Sequence, residues 1–131
     1  MEVSKIEYKI GKLEILRVGD KNKYVVKEPF ELTMGKYYIC VHEGFMSDGC
    51  TRGPDVGYSW LFHDFLYDTH KTDLWIPCTR EEADNIMLNI LNYEISISNS
   101  FFEKCKLWIV KCGLLIAKKY YPNVLQKSWD D

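Results

Sequence analysis

His63, Asp64 and Tyr67 stand together in the string WLFHDFLYDTH, and Asp84 follows in the string REEADNIM. On a helix, positions i and i+4 share a face, so His63 and Tyr67 look the same way, with Asp64 turned about 100° from His63. Trp60, Leu61, Phe62, Phe65 and Leu66 surround them. Polar groups at the edge of a dry wall cost stability unless they are paired. The chemistry open to such a set is proton transfer. A carboxylate that accepts from one imidazole nitrogen fixes the tautomer and leaves the other nitrogen as a base. Asp84 is the candidate for that carboxylate, and the spacing predicts that it accepts from His63, Tyr67 or both. Two blander readings stand beside this one. The His-Asp-x-x-Tyr set also suits a satisfied core network. Arg80 and Asp84 also suit an exposed ion pair one helical turn apart, worth a few tenths of a kcal/mol.

The elements that must position these groups read as strands first and helices second. Ile6, Tyr8 and Ile10 alternate with charged residues at the period of a half-buried strand. Leu13 to Val18 and Lys23 to Val26 flank the turn cluster Gly19-Asp20-Lys21-Asn22, and Pro29 breaks or edges the pairing. Phe30 to Leu32 and Tyr37 to Val41 flank Met34-Gly35, a plausible hairpin. Residues 42 to 55 form a polar, glycine-punctuated loop. A first helix runs from Tyr58 to Tyr67. Thr79 and Glu82 form a capping box for a second, with Ala83, Ile86, Met87, Ile90 and Leu91 as its apolar stripe and Asp84 at the margin. If these two helices pack antiparallel through residues 69 to 78, Asp84 approaches His63 or Tyr67. Ser100 caps a third helix in which Phe101, Cys105, Trp108, Cys112 and Ile116 share a face, and Pro122 marks its end. The expected fold is α+β: an N-terminal antiparallel sheet of three to five strands, then three helices, in one domain over residues 1 to 131.

Composition narrows the function classes. The 131 residues are 47% hydrophobic and 27% charged, ordinary for a globular chain long enough to bury a core. A net charge of -2 gives no general reason to expect nucleic acid as a partner. The lysines from Lys104 to Lys127 read as a solvated helix face. No signal peptide is visible at the first residues, and the greasy stretch from Leu107 to Ala117 is too short to span a bilayer. Cytoplasm, host cytoplasm or a virion is the expected location. Five cysteines without a CxxC pair argue for reduced thiols, with Cys105 and Cys112 as core residues and Cys50 in the polar loop.

Three motifs in order carry a resemblance. Gly44-Phe45 with Ser47-Asp48-Gly49, then His63-Asp64-Phe65-Leu66-Tyr67, then Arg80-Glu81-Glu82-Ala83-Asp84 resemble the small phage and prophage proteins of domain of unknown function family 1353. The likeness runs over about residues 23 to 117. It departs at His42, where that pattern has proline, and at Cys50-Thr51, where it has Ala-Ser. What it implies is a phage- or virus-type protein, virion-associated or accessory, with other virion or host proteins as partners.

His-Asp-x-x-Tyr followed by a helix bearing Ala-Asp is also similar to the helix pair of phospholipases A2, including the compact domain of parvovirus capsid proteins. That likeness implies a hydrolase acting on phospholipid, with His63 as general base and Asp84 orienting it with the help of Tyr67. It makes Asp64 a calcium ligand beside carbonyls of the Gly44 to Gly49 loop, since a hard cation wants oxygen donors. The closely spaced glycines and cysteines of the lipase loop are missing here, and Asp48 has no counterpart in it. A third reading gathers Asp48, His63, Asp64 and Asp84 round zinc, manganese or magnesium in another metal-assisted hydrolase. Asp48-Gly49 is equally a turn dipeptide, with Asp48 capping backbone amides.

Overall fold

The computed structural model describes residues 6–19, 21–49, 56–72 and 76–131. Six strands come first: β1 (Ile6–Lys9), β2 (Lys12–Val18), β3 (Lys21–Glu28), β4 (Phe30–Met34), β5 (Tyr37–Val41) and β6 (Met46–Ser47). Four helices follow: α1 (Ser59–Thr69), α2 (Arg80–Ile97), α3 (Phe101–Tyr120) and α4 (Pro122–Asp130). The class is α+β, strands then helices, as the sequence pattern predicts.

The strands divide into two antiparallel three-stranded sheets rather than one, in the orders β1-β4-β5 and β2-β3-β6. Pro29 sits at the division. It lacks an N–H to donate, so the ladder of β3 stops at Glu28 and the chain leaves for the other sheet at Phe30. In β4 alternate side chains point inward, and Phe30, Leu32 and Met34 are all buried. Their partners across the ladder include Val41 and Ile39, also buried, so this sheet presents one continuous apolar face to the helices.

The helix boundaries have local causes. The Thr79 hydroxyl accepts from the Glu82 amide at 3.1 Å while the Glu82 carboxylate takes the Thr79 amide, the reciprocal capping box that opens α2. The same Glu82 accepts from the Tyr37 hydroxyl at 2.5 Å, which ties β5 to the start of α2. The Ser100 hydroxyl accepts from the Glu103 amide and opens α3. Pro122, expected to end a third helix, instead opens a fourth: at the first helical position its missing N–H costs nothing.

One expectation is inverted. The face of α3 that holds Phe101, Cys105, Trp108, Cys112 and Ile116 is exposed, and the helix buries Leu107, Val110 and Leu114 instead. A helix apolar on two sides can pack by either, and here the narrower aliphatic stripe joins the core with Ile86, Ile90 and Leu91 of α2. Cys105 and Cys112 are therefore exposed thiols, not core residues. No helix among the described residues is long and apolar enough to cross a membrane.

This orientation sets a mutational contrast. Leu114→Ala should cost about 2–5 kcal/mol in denaturant unfolding, as buried leucine truncations do. Ile116→Ala, two residues on, should stay within about 0.5 kcal/mol. Equal losses at the two positions would mean the helix packs by its other face.

Candidate functional site

Two contacts fix α1 and α2 antiparallel: Tyr58, before α1, meets Glu94 near the end of α2, and Tyr67 in the last turns of α1 meets Asp84 near the start of α2. That arrangement brings His63, Tyr67 and Asp84 together. His63 Nε2 lies 2.8 Å from Asp84 Oδ1, and the Tyr67 hydroxyl donates to the same oxygen at 2.7 Å. The imidazole and phenol rings lie one turn apart with centroids 4.3 Å from each other. On the second carboxylate oxygen, Arg80 Nη1 donates to Oδ2 at 2.9 Å. The ion pair and the His–Tyr network are therefore not alternatives. Both hold the same carboxylate, and the pair is buried rather than exposed.

The Asp84 side chain has no exposed surface, whereas 15% of the His63 side chain remains open. Burial works against the ionised form of Asp84. The hydrogen bonds from His63 and Tyr67, with the fields of His63 and Arg80, outweigh it and hold the pKa below the usual aspartate value. An ionised carboxylate only accepts, so the proton between the two residues sits on His63 Nε2. In the neutral ring Nδ1 is then the lone-pair nitrogen. It makes no hydrogen bond among the described residues. Burial and then the hydrogen bond to Asp84 push the Tyr67 phenol well above its ordinary range, so Tyr67 serves as a donor.

The rim of the site comes from elements that sequence reasoning did not connect to it. The Trp129 ring of α4 stands edge-on to Tyr67, with centroids 5.1 Å apart, and stacks on His70 at 3.9 Å. His70 closes α1 in a left-handed conformation with φ 59°, and its Nε2 lies 2.8 Å from the Trp129 carbonyl. Arg80 Nε donates to Gln126 Oε1 at 3.0 Å, so the guanidinium spans from α4 to Asp84. Nothing in the spacing of the last ten residues relates them to His63.

Asp64 and Asp48 go elsewhere. Asp64 turns toward the end of the glycine loop, as expected, and there accepts from the Ser47 hydroxyl. Asp48 is exposed and pairs with Lys23 at 3.6 Å, so it joins neither Asp84 nor Asp64. The loop's carbonyls are partly committed to the sheet, since the Val26 amide donates to the Phe45 carbonyl at 2.9 Å and β6 pairs with β3. Among the described residues no group of three or more His, Cys, Asp or Glu could hold a metal ion. Cys50 and Arg52 lie outside the described residues. A surface cleft of about 550 Å³ between β2, β3 and the start of α3 is lined by Tyr24, Trp60, Phe102 and Lys106, with no member of the His63 network.

The residue most clearly overlooked is Glu94, although it continues the α2 stripe one turn beyond Ile90. It is buried, its Oε2 accepts from the Tyr58 amide at 2.8 Å, and its Oε1 has no hydrogen-bond partner among the described residues. It takes the place of the missing side-chain cap at the start of α1. Gly57 makes room for it: φ there is +64°, and an added Cβ would sit 2.3 Å from a Glu94 oxygen. Burial pushes the Glu94 carboxyl up to about 7, against the opposing pull of the Tyr58 and Ser59 amides and the Tyr8 hydroxyl. Compared with models of protein families, with curated proteins and with solved structures, this chain matches none.

Glu94 gives a pH dependence of definite sign. Its stabilising contribution is complete below the ordinary value of 4.5 and is lost as the pH rises toward about 7, because the folded chain keeps a proton that the unfolded chain releases. Glu94→Gln should flatten the fall in unfolding free energy over that window by roughly 3 kcal/mol; an unchanged slope would remove the assignment. For Asp64, added calcium should leave the melting temperature of the wild type and of Asp64→Asn equally unmoved. A rise in the wild type that is absent from the variant would restore an ion at Asp64.

Proposed function

We propose that His63 and Asp84 form a general-base pair that activates water for hydrolysis of an ester, in a small accessory protein of phage or virus type. One observation carries the reading: Asp84 holds His63 through Nε2, and Nδ1, on a ring that is partly open, has no hydrogen-bond partner among the described residues. In that geometry Nδ1 takes a proton from water as the water attacks an acyl carbon, and the buried carboxylate behind the ring compensates the imidazolium that forms. Tyr67 and Arg80 do not touch the reacting atoms in this scheme. They keep Asp84 ionised and fixed, so they are positioning residues. Phospholipid is the substrate class favoured by the likeness of the His-Asp-x-x-Tyr and Ala-Asp strings to phospholipases A2. The ordered motifs shared with family 1353 favour the phage setting.

A second reading has its own support. Both oxygens of Asp84 are occupied, and Arg80 neutralises it within hydrogen-bond distance, which is also what a purely structural clamp between α1, α2 and α4 requires. In that case the protein is a virion or accessory component with no chemistry at His63, and its partners are other virion or host proteins.

The two separate by experiment. Under the first, His63→Asn loses about 10²–10⁴-fold of ester or phospholipid hydrolysis while the melting temperature stays near that of the wild type. Under the second, no wild-type hydrolysis is found across acyl esters and phospholipids, and His63→Ala lowers the melting temperature by several degrees. Wild-type activity that survives His63→Asn undiminished would sink the general-base role.

A further inference from the structure

The exposed face of α3 is the largest feature that neither reading uses. Phe101 and Phe102 are 76% and 78% exposed, and Trp108, Ile109 and Ile116 continue the surface along the helix. From Phe101 to Ile116 this strip runs roughly 22 Å at the helical rise. Single exposed apolar residues are ordinary, but a contiguous aromatic and aliphatic strip marks a surface that is covered in use.

Its borders say by what. Stepping about 100° per residue, Cys105, Trp108, Cys112 and Ile116 fall within about 60° of Phe101. Lys104 and Lys111 line one border, where Lys118 also lies but donates to Asn85 Oδ1 on α2; Lys106 lines the other, and Lys119 stands at the far end. The single acid on the helix is Glu103. The Lys111 ammonium sits 4.5 Å above the Trp108 ring, beside the apolar strip rather than away from it. Lysines that reach up from the borders of an aromatic strip suit a surface that is apolar in depth and anionic at its boundary.

A second copy of this chain fits poorly. An antiparallel α3 pair centred on Lys111 would set Lys104 against Lys118 of the other copy and Lys111 against Lys111, like charge on like charge. A parallel pair would set that same border against Lys106. Nucleic acid would use the lysines but leave the strip in water.

We infer that the outward face of α3 docks on an anionic lipid surface, the helix lying in the plane of the interface with Phe102 and Trp108 in the acyl boundary and Lys104 and Lys111 at the headgroups. Such docking requires no chemistry at His63.

Co-sedimentation of the intact protein with phosphatidylcholine vesicles, with and without phosphatidylglycerol, tests it. The wild type should partition to the anionic vesicles at least about tenfold better than to the neutral ones, and added salt should weaken the binding. Phe102→Ser with Trp108→Ser should abolish the binding at an unchanged melting temperature. Lys104→Glu with Lys111→Glu should remove the preference for anionic lipid. Absence of wild-type binding, equal binding to both compositions, or full binding by the serine variant would each overturn the inference. So would self-association that the serine variant abolishes, or oligonucleotide binding by a chain that ignores vesicles.

Discussion

The Asp84 carboxylate is the constraint on which the helical half depends. An ionised group with no exposed surface must recover from protein donors the solvation that burial removes. Three donors do so from two elements: His63 and Tyr67 from α1, and Arg80 from the turn of α2 before Asp84 itself. Their geometry leaves little freedom in how α1 lies on α2. A slide of one residue along either helix would carry the imidazole or the phenol off the shared oxygen and strand a charge in a dry interface.

Glu94, ten residues along the same helix, solves the same problem the other way. Its donors among the described residues include the Tyr58 amide that opens α1 and the Tyr8 hydroxyl, and there one of its oxygens has no hydrogen-bond partner. Its proton affinity rises accordingly. The two acids thus hold opposite ends of α1 by different means, Asp84 as a compensated charge and Glu94 as a protonatable cap. This explains how a helix without a capping side chain of its own starts where it does, one residue after the amide of Tyr58 that Glu94 accepts.

Much of this was legible because the signals were local. The i, i+4 spacing of His63 and Tyr67, the Thr79–Glu82 box and the stripe from Ala83 to Leu91 each depend on a few neighbouring residues, and each is present in the fold. What the residues could not announce were choices between equal local options. On α3 the strip of Phe101, Trp108 and Ile116 and the strip of Leu107, Val110 and Leu114 are both apolar. Burial of the second depends on the shape offered by Ile90 and Leu91. Pro122 ends one helix and begins another with the same missing N–H. Ser47 was passed over for its charged neighbour Asp48, yet Ser47, buried at the end of β6, is the one that reaches Asp64, while Asp48, just past the strand, is exposed and pairs with Lys23.

The break at Pro122 also explains how the chain's end reaches the site. Had α3 run on straight, Trp129 would have been carried a further dozen ångströms or so past α1. The restart at Pro122 turns the last helix back, and Trp129 fills the corner between Tyr67 and His70. His70 turns that corner with a left-handed backbone, a conformation in which histidine, like asparagine and aspartate, is enriched among non-glycine residues. Its ring stacks on the indole and its Nε2 meets the Trp129 carbonyl, so the last helix holds the residue that ends α1. Gln126, one turn before Trp129, reaches Arg80. The final helix therefore bears on the phenol and the guanidinium that keep Asp84 in place.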